Sequence, residues 1–164
     1  IISYCKAINE ALHQEMERDE RIFVYGLDVA DQKRTFGSGF GLLERFGPKR
    51  YFTTPLSESA MMGLGGGAAI AGLRPINVHI RVDFLLLAMN QLINMIAPMH
   101  YGSGEKLSVP LVIRAIIGRG WGQGFQHSKT LHSIFAHIPG LKVVMSLLLN
   151  FQYKDRYRTD FARV

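Results

Sequence analysis

Four side chains stand where this sequence could do chemistry. Glu58 heads the run Thr53-Thr-Pro-Leu-Ser-Glu-Ser-Ala-Met-Met-Gly-Leu-Gly-Gly-Gly-Ala-Ala-Ile-Ala-Gly-Leu73, a single carboxylate followed by small and apolar residues. Gly63, Gly65, Gly66, Gly67 and Gly72 each cost a helix about 1 kcal/mol against alanine. Such a cost is carried where something must approach the backbone closely, either a neighbouring helix or a flat ligand. The plainer role for Glu58 is that of a helix-start acid, favoured by the positive end of the helix dipole. His127 follows the glycine loop Gly118-Arg-Gly-Trp-Gly-Gln-Gly124 and reads either as a structural hydrogen-bonder or as a proton-transfer residue on a loop. Phe84 opens an apolar segment, as core or as a stacking platform. Asp28 follows the apolar run Arg21-Ile-Phe-Val-Tyr-Gly26.

Other patterns are weaker. His127, His132 and His137 recur every five residues, which does not put them on one helix face for a metal. Gly102-Ser-Gly-Glu-Lys106 is too short for a Walker-type phosphate loop, and Gly37-Ser-Gly-Phe-Gly41 lacks the full dinucleotide spacing. One arginine and one aromatic in the Gly118 loop are too few for an arginine-glycine RNA-binding run. The single cysteine, Cys5, excludes an internal disulfide framework and has no histidine close by in sequence to make it a catalytic thiol.

The elements that must position these residues follow from periodicity. Ser3 caps a first helix whose buried stripe is Ile8, Leu12 and Met16. Strands are expected at 21–26, 75–80, 109–114 and 141–145, with an extended piece at 50–54. Helices are expected at 42–46, 58–71, 84–97 (bent or ended by Pro98) and 131–137. Alternation of near-continuously apolar strands with helices predicts an α/β fold, a parallel sheet with helices on both faces. In such folds ligands lie outside the carboxyl ends of the strands. Those ends lead to Asp28, Glu58, Phe84 and the loop to His127.

The 164 residues suit one domain, and the 48% apolar content is that of a globular chain. The net charge of +6 is compatible with a nucleic acid, an anionic cofactor or an acidic partner. No uninterrupted apolar run reaches the roughly 18 residues of a membrane helix. The chain begins at Ile1 and reads as a fragment, so a removed targeting segment would be invisible.

In their order, Thr54-Pro-Leu-Ser-Glu58, Gly66-Gly-Ala-Ala-Ile-Ala-Gly-Leu-Arg-Pro75, Asp83-Phe84 with Asn90-Gln-Leu-Ile-Asn94, Val109-Pro-Leu-Val-Ile-Arg114, Gln126-His-Ser128 and His137-Ile-Pro-Gly-Leu-Lys-Val-Val144 carry a resemblance. From Ile2 to Val144 the chain resembles the beta subunits of thiamine-diphosphate-dependent 2-oxo acid dehydrogenases of the pyruvate, branched-chain and acetoin type. The resemblance implies a transketolase-like pyrimidine-binding domain over 1–145, an unmatched tail over 146–164, and the absence of the family's C-terminal domain. It implies thiamine diphosphate as cofactor. With no Gly-Asp-Gly motif here, the diphosphate and its Mg2+ fall to an alpha-type partner. The usual K+ site is mostly missing.

By resemblance Glu58 hydrogen-bonds a pyrimidine ring nitrogen, favouring the tautomer that takes the proton from the thiazolium carbon. Phe84 packs against the pyrimidine, and His127 lies near the reacting carbon and helps pass the acyl group to lipoamide. Asp28 falls in a run where the family often has a second acid; here that place is Leu27. The implied reaction is oxidative decarboxylation of a 2-oxo acid, or acyloin cleavage, within an alpha2beta2 assembly that serves a lipoyl-bearing acyltransferase. Neither membrane nor nucleic acid is expected as a partner. The implied location is the bacterial cytoplasm or the mitochondrial matrix. Two alternatives stand beside it: a non-catalytic or regulatory remnant of the family, and a basic nucleic-acid-binding domain.

Overall fold

The computed structural model describes residues 2–32, 35–118 and 123–145, and the backbone of 158–163. In chain order the elements are α1 (Tyr4–Arg18), β1 (Ile22–Gly26), α2 (Leu42–Phe46), β2 (Tyr51–Thr53), α3 (Glu58–Ile70), β3 (Arg74–His79), α4 (Val82–Leu85), a 3-10 turn (Leu86–Ala88), a π-helical stretch (Asn90–Ile96), α5 (Met99–Gly102), β4 (Val112–Ile117), α6 (His132–Ala136), β5 (Lys142–Met145) and β6 (Arg158–Arg163). They form one sheet in the order β2-β1-β3-β4-β6-β5. The first four strands in that order are parallel, and β6 runs antiparallel to both β4 and β5. The sheet is therefore parallel except for one reversed strand from the tail, which the sequence reading left unassigned.

The strands alternate their side chains between two apolar layers, as a period of two requires. On one face Ile22, Val24, Ile76 and Val78 pack under Ile8, Leu12 and Met16 of α1. On the other, Ile113, Ala115 and Ile117 meet Met62, Ala69, Leu85, Leu92 and Phe135. Ser3 caps α1 by accepting the Lys6 amide at 3.2 Å.

α3 ends as its sequence suggests. Gly72 takes a φ of 94°, and the bonds Leu73 N–H to Ala68 O and Gly72 N–H to Ala69 O form a Schellman turn, each 3.0 Å. Inside the helix the glycines do different things. A Cβ on Gly65 would fall 2.2 Å from the Tyr25 hydroxyl, and one on Gly66 would fall 2.9 Å from Ile96. Gly63 and Gly67 face open space. Close packing thus explains two of the four glycines within the helix.

Two expectations are corrected. The strand expected at 109–114 lies at Val112–Ile117, because Pro110 has no amide hydrogen to give to a ladder. The helix expected at 84–97 is a succession of short helical types with a 56° bend between Val82–Ala88 and Asn90–Gly102. The bend falls at Met89, not at Pro98; Pro98 instead caps α5. Among the described residues no single helix is long and apolar enough to cross a membrane, and only that bent pair reaches the length and composition together.

Candidate functional site

The four predicted residues lie at the carboxyl ends of four successive parallel-strand units. Asp28 follows β1, where it is exposed and takes a φ of 51°, a left-handed conformation that aspartate tolerates better than most residues. The Ala30 amide donates to Thr53 Oγ1 at 2.9 Å and the Thr54 amide to Gly26 O at 3.0 Å. These bonds tie the Asp28 turn to the end of β2 and so to the approach to α3.

Glu58 is half-buried in the first turn of α3. Its carboxylate has no hydrogen-bond or ion-pair partner among the described residues. One residue on, Ser59 Oγ donates to Leu87 O at 2.8 Å. That bond docks the head of α3 onto the segment that begins with Phe84.

Phe84, half-buried in α4, meets His127 edge-on, with ring centroids 5.2 Å apart and planes at 71°. Edge-to-face geometry is the favourable one for aromatic rings. Two clamps hold the His127 loop in place. Arg81, just before α4, donates through Nε and Nη2 to Gln123 Oε1 at 3.1 and 2.6 Å. Asp83 accepts from Lys129 Nζ at 3.1 Å and more weakly from the Lys129 amide at 3.4 Å. Arg81 and Asp83 are buried while Gln123 and Lys129 are exposed, so each clamp runs from the interior to the surface. Two residues just before Phe84 therefore grip the loop before and after His127. Arg119, Gly120, Trp121 and Gly122 of that loop lie outside the described residues.

The structure thus brings Phe84 and His127 into contact and docks the start of Glu58's helix against Phe84's segment. It does not join Asp28 to any of the other three by a hydrogen bond. Sequence reading placed Arg81 and Gln123 in candidate stretches without giving them a role, and it missed Lys129. Asp83 stood in a flagged motif, but its role as a clamp depends on a partner 46 residues away.

The arrangement offers an uncommitted carboxylate, an aromatic ring and an imidazole around one end of the sheet, with the Ser128 hydroxyl buried and without a partner beside His127. That set suits a flat nitrogen heterocycle. The carboxyl group can bond a ring nitrogen, and an aromatic side chain can take the heterocycle's face. Residues 1–147 match the family described as transketolase, pyrimidine binding domain.

The chain belongs to that family.

Several curated proteins are similar to it over the same region. A 2-oxoisovalerate dehydrogenase subunit beta of Bacillus subtilis is 46% identical over 145 residues, which are 88% of this chain and 44% of that protein. A pyruvate dehydrogenase E1 component subunit beta of Rickettsia conorii is 41% identical over 143 residues, 87% of this chain and 44% of that protein. The mitochondrial pyruvate dehydrogenase E1 component subunit beta of Bos taurus is 41% identical over 139 residues, 85% and 39% respectively. The chain spans less than half the length of these relatives. The four candidate residues lie beyond the carboxyl strand ends, where open parallel sheets bind their ligands.

Proposed function

We propose that this chain forms the pyrimidine side of a thiamine diphosphate site in a 2-oxo acid dehydrogenase of the beta-subunit kind. In this reading it works with an alpha-type partner that binds the diphosphate and Mg2+. The observation that carries it is the uncommitted Glu58 carboxylate at the head of α3, a helix that Ser59 docks onto the segment beginning with Phe84 of the Phe84–His127 pair. Thiamine diphosphate, when bound, supplies the carbon nucleophile and the electron sink for decarboxylation.

This chain's part is to bind, orient and move a proton. Glu58 holds the pyrimidine ring nitrogen through its carboxyl group. The Phe84 ring packs against the heterocycle and keeps water from it. His127, held by the Arg81 and Asp83 clamps, faces the substrate side and assists acyl transfer to lipoamide. Asp28 sits exposed at the rim, with Leu27 beside it in place of a second acid, so it is assigned the outer edge of the cofactor pocket.

A partner surface is supported by side chains that a monomer leaves in water. Leu56 is 68% exposed, Leu87 60% and Met95 54%, and they belong to the segments around Glu58 and Phe84. Open space over Gly63 and Gly67 on α3 is consistent with close approach by another chain. An alpha2beta2 assembly, a lipoyl-bearing acyltransferase, and a cytoplasmic or matrix location go with this reading. The domain limits 1–145 belong to it too, although β6 of the 146–164 tail pairs with β4 and β5 in the same sheet.

The test is reconstitution with an alpha-type chain that carries Gly-Asp-Gly and a downstream asparagine. Hydrogen–deuterium exchange at the thiazolium carbon, read by NMR, is expected to be fast in the complex and lost in Glu58→Gln with assembly intact. Unchanged exchange in that variant overturns the assignment of Glu58. Assembly without exchange in the unaltered complex favours a non-catalytic member of the family.

A further inference from the structure

On the sheet face covered by α1 lies an arginine with no acid paired to it among the described residues. Arg114 sits in the middle of β4 and is 3% exposed. Burial lowers its pKa to about 10, which leaves it protonated at neutral pH. The groups that oppose this shift are Cys5, Tyr51 and Tyr4, none of them a carboxylate. Among the described residues no carboxylate forms an ion pair with it, and its Nε has no hydrogen-bond partner. A buried charge left uncompensated is one of the costliest features a fold can carry.

A cavity of about 20 Å³ opens beside the guanidinium, between apolar walls that include Ile8 and Ile116. Thr35 lines the same cavity; it is 4% exposed and its Oγ1 is also without a partner. Two residues that each carry an orphaned polar atom therefore line one small space. The backbone is arranged to hold one of them there. Thr35 has a φ of 49°, an unusual conformation for a β-branched residue. It is fixed by the Ser38 hydroxyl, which donates to Thr35 O at 2.9 Å. The next residue is held as well: the Cys5 thiol donates to Phe36 O at 3.0 Å, and Arg81 lies over the Phe36 ring at 5.5 Å.

We propose that this cavity binds one monovalent anion of about chloride size, held by the Arg114 Nε–H and the Thr35 hydroxyl. A volume of this order admits a single water or a single small ion, and not a polyatomic anion such as gluconate. Water would satisfy the hydrogen bonds but leave the charge unbalanced. A halide does both. Its occupancy would tie α1, the turn at Thr35 and Phe36, and β4 together at one point, and would stabilise the folded chain by mass action.

The experiment uses the full chain, with chloride titrated against gluconate at constant ionic strength. Cys5 lines the cavity and is the only cysteine in the sequence, so thiol labelling reports on this place alone. Labelling is expected to slow saturably with chloride, by about tenfold once chloride stands tenfold above its dissociation constant. The melting temperature should rise over the same range, and the chloride NMR line should broaden. Arg114→Met is expected to remove all three responses, and Thr35→Val to weaken them. If Arg114→Met does not fold, Thr35→Val alone decides: an unchanged chloride midpoint overturns the proposal. Equal behaviour in chloride and gluconate, the signature of a water-filled cavity, overturns it too. So does a chloride response that persists in Arg114→Met.

Discussion

Replacing Gly65 by alanine separates local helix preference from tertiary packing. By helix propensity alone the change should stabilise α3 by about 1 kcal/mol. The structure reverses the sign. The new Cβ would stand 2.2 Å from the Tyr25 hydroxyl and 3.0 Å from Leu111 Cδ1. To reach ordinary contact the phenol oxygen must retreat by about 1 Å, and Tyr25 is fully buried in an interior that close packing leaves little room to adjust. The retreat breaks its 2.7 Å bond to Met61 O. A lost buried hydrogen bond costs roughly 1–3 kcal/mol and overpacking a similar amount, so the net effect is a destabilisation of about 2–4 kcal/mol. Urea denaturation followed by circular dichroism measures it. A double-mutant cycle identifies the cause, because Tyr25→Phe removes the obstructing oxygen. In that background Gly65→Ala should cost less than about 1 kcal/mol, leaving a coupling of at least about 1 kcal/mol between the two positions. A Gly65→Ala chain as stable as the parent would refute the packing argument, and additive costs would show that the strain lies elsewhere.

Gly67→Ala meets nothing within 4 Å and should stabilise the isolated chain by up to about 1 kcal/mol; a weaker complex with the proposed alpha-type partner would then mark it as an interface glycine. Burial holds the His79 imidazole neutral, with its pKa lowered to about 4 from 6.5. As pH falls below 6.5 the unfolded chain takes up a proton that the folded chain refuses, so stability should decline between pH 6.5 and 4 and be indifferent to His79 above that window. His79→Phe should flatten this slope in denaturation curves taken at pH 7, 6 and 5, and an unchanged slope would clear His79. Asp83→Asn leaves Lys129 without its counter-charge; in the reconstituted complex turnover should fall more than cofactor affinity, because His127 loses its support while Glu58 does not. His127→Ala should show the same division, and a loss confined to cofactor affinity would place His127 outside the acyl-transfer step.

Much of this protein could be read before any coordinate. The α1 stripe of Ile8, Leu12 and Met16, the Ser3 cap and the Gly72 stop follow from local rules, because capping and periodicity involve residues within a turn or two of one another. The apolar strands and their alternation with helices announced the parallel sheet, and hence the end at which Asp28, Glu58, Phe84 and His127 would gather. Local rules gave out where a contact between distant segments decided the outcome. The bend at Met89 and the mixed helical types of 82–102 arise as that segment wraps α3 and docks through Ser59 and Leu87, and no local breaker marks the place. The Arg81 and Asp83 clamps join residues 42 and 46 positions apart. Four helix glycines look alike in sequence, yet two are sterically required and two face open space. Arg114 read as one more polar residue at the end of an apolar run. Only the assembled sheet, with α1 and the Thr35 turn laid across it, encloses that charge with no acid paired to it among the described residues.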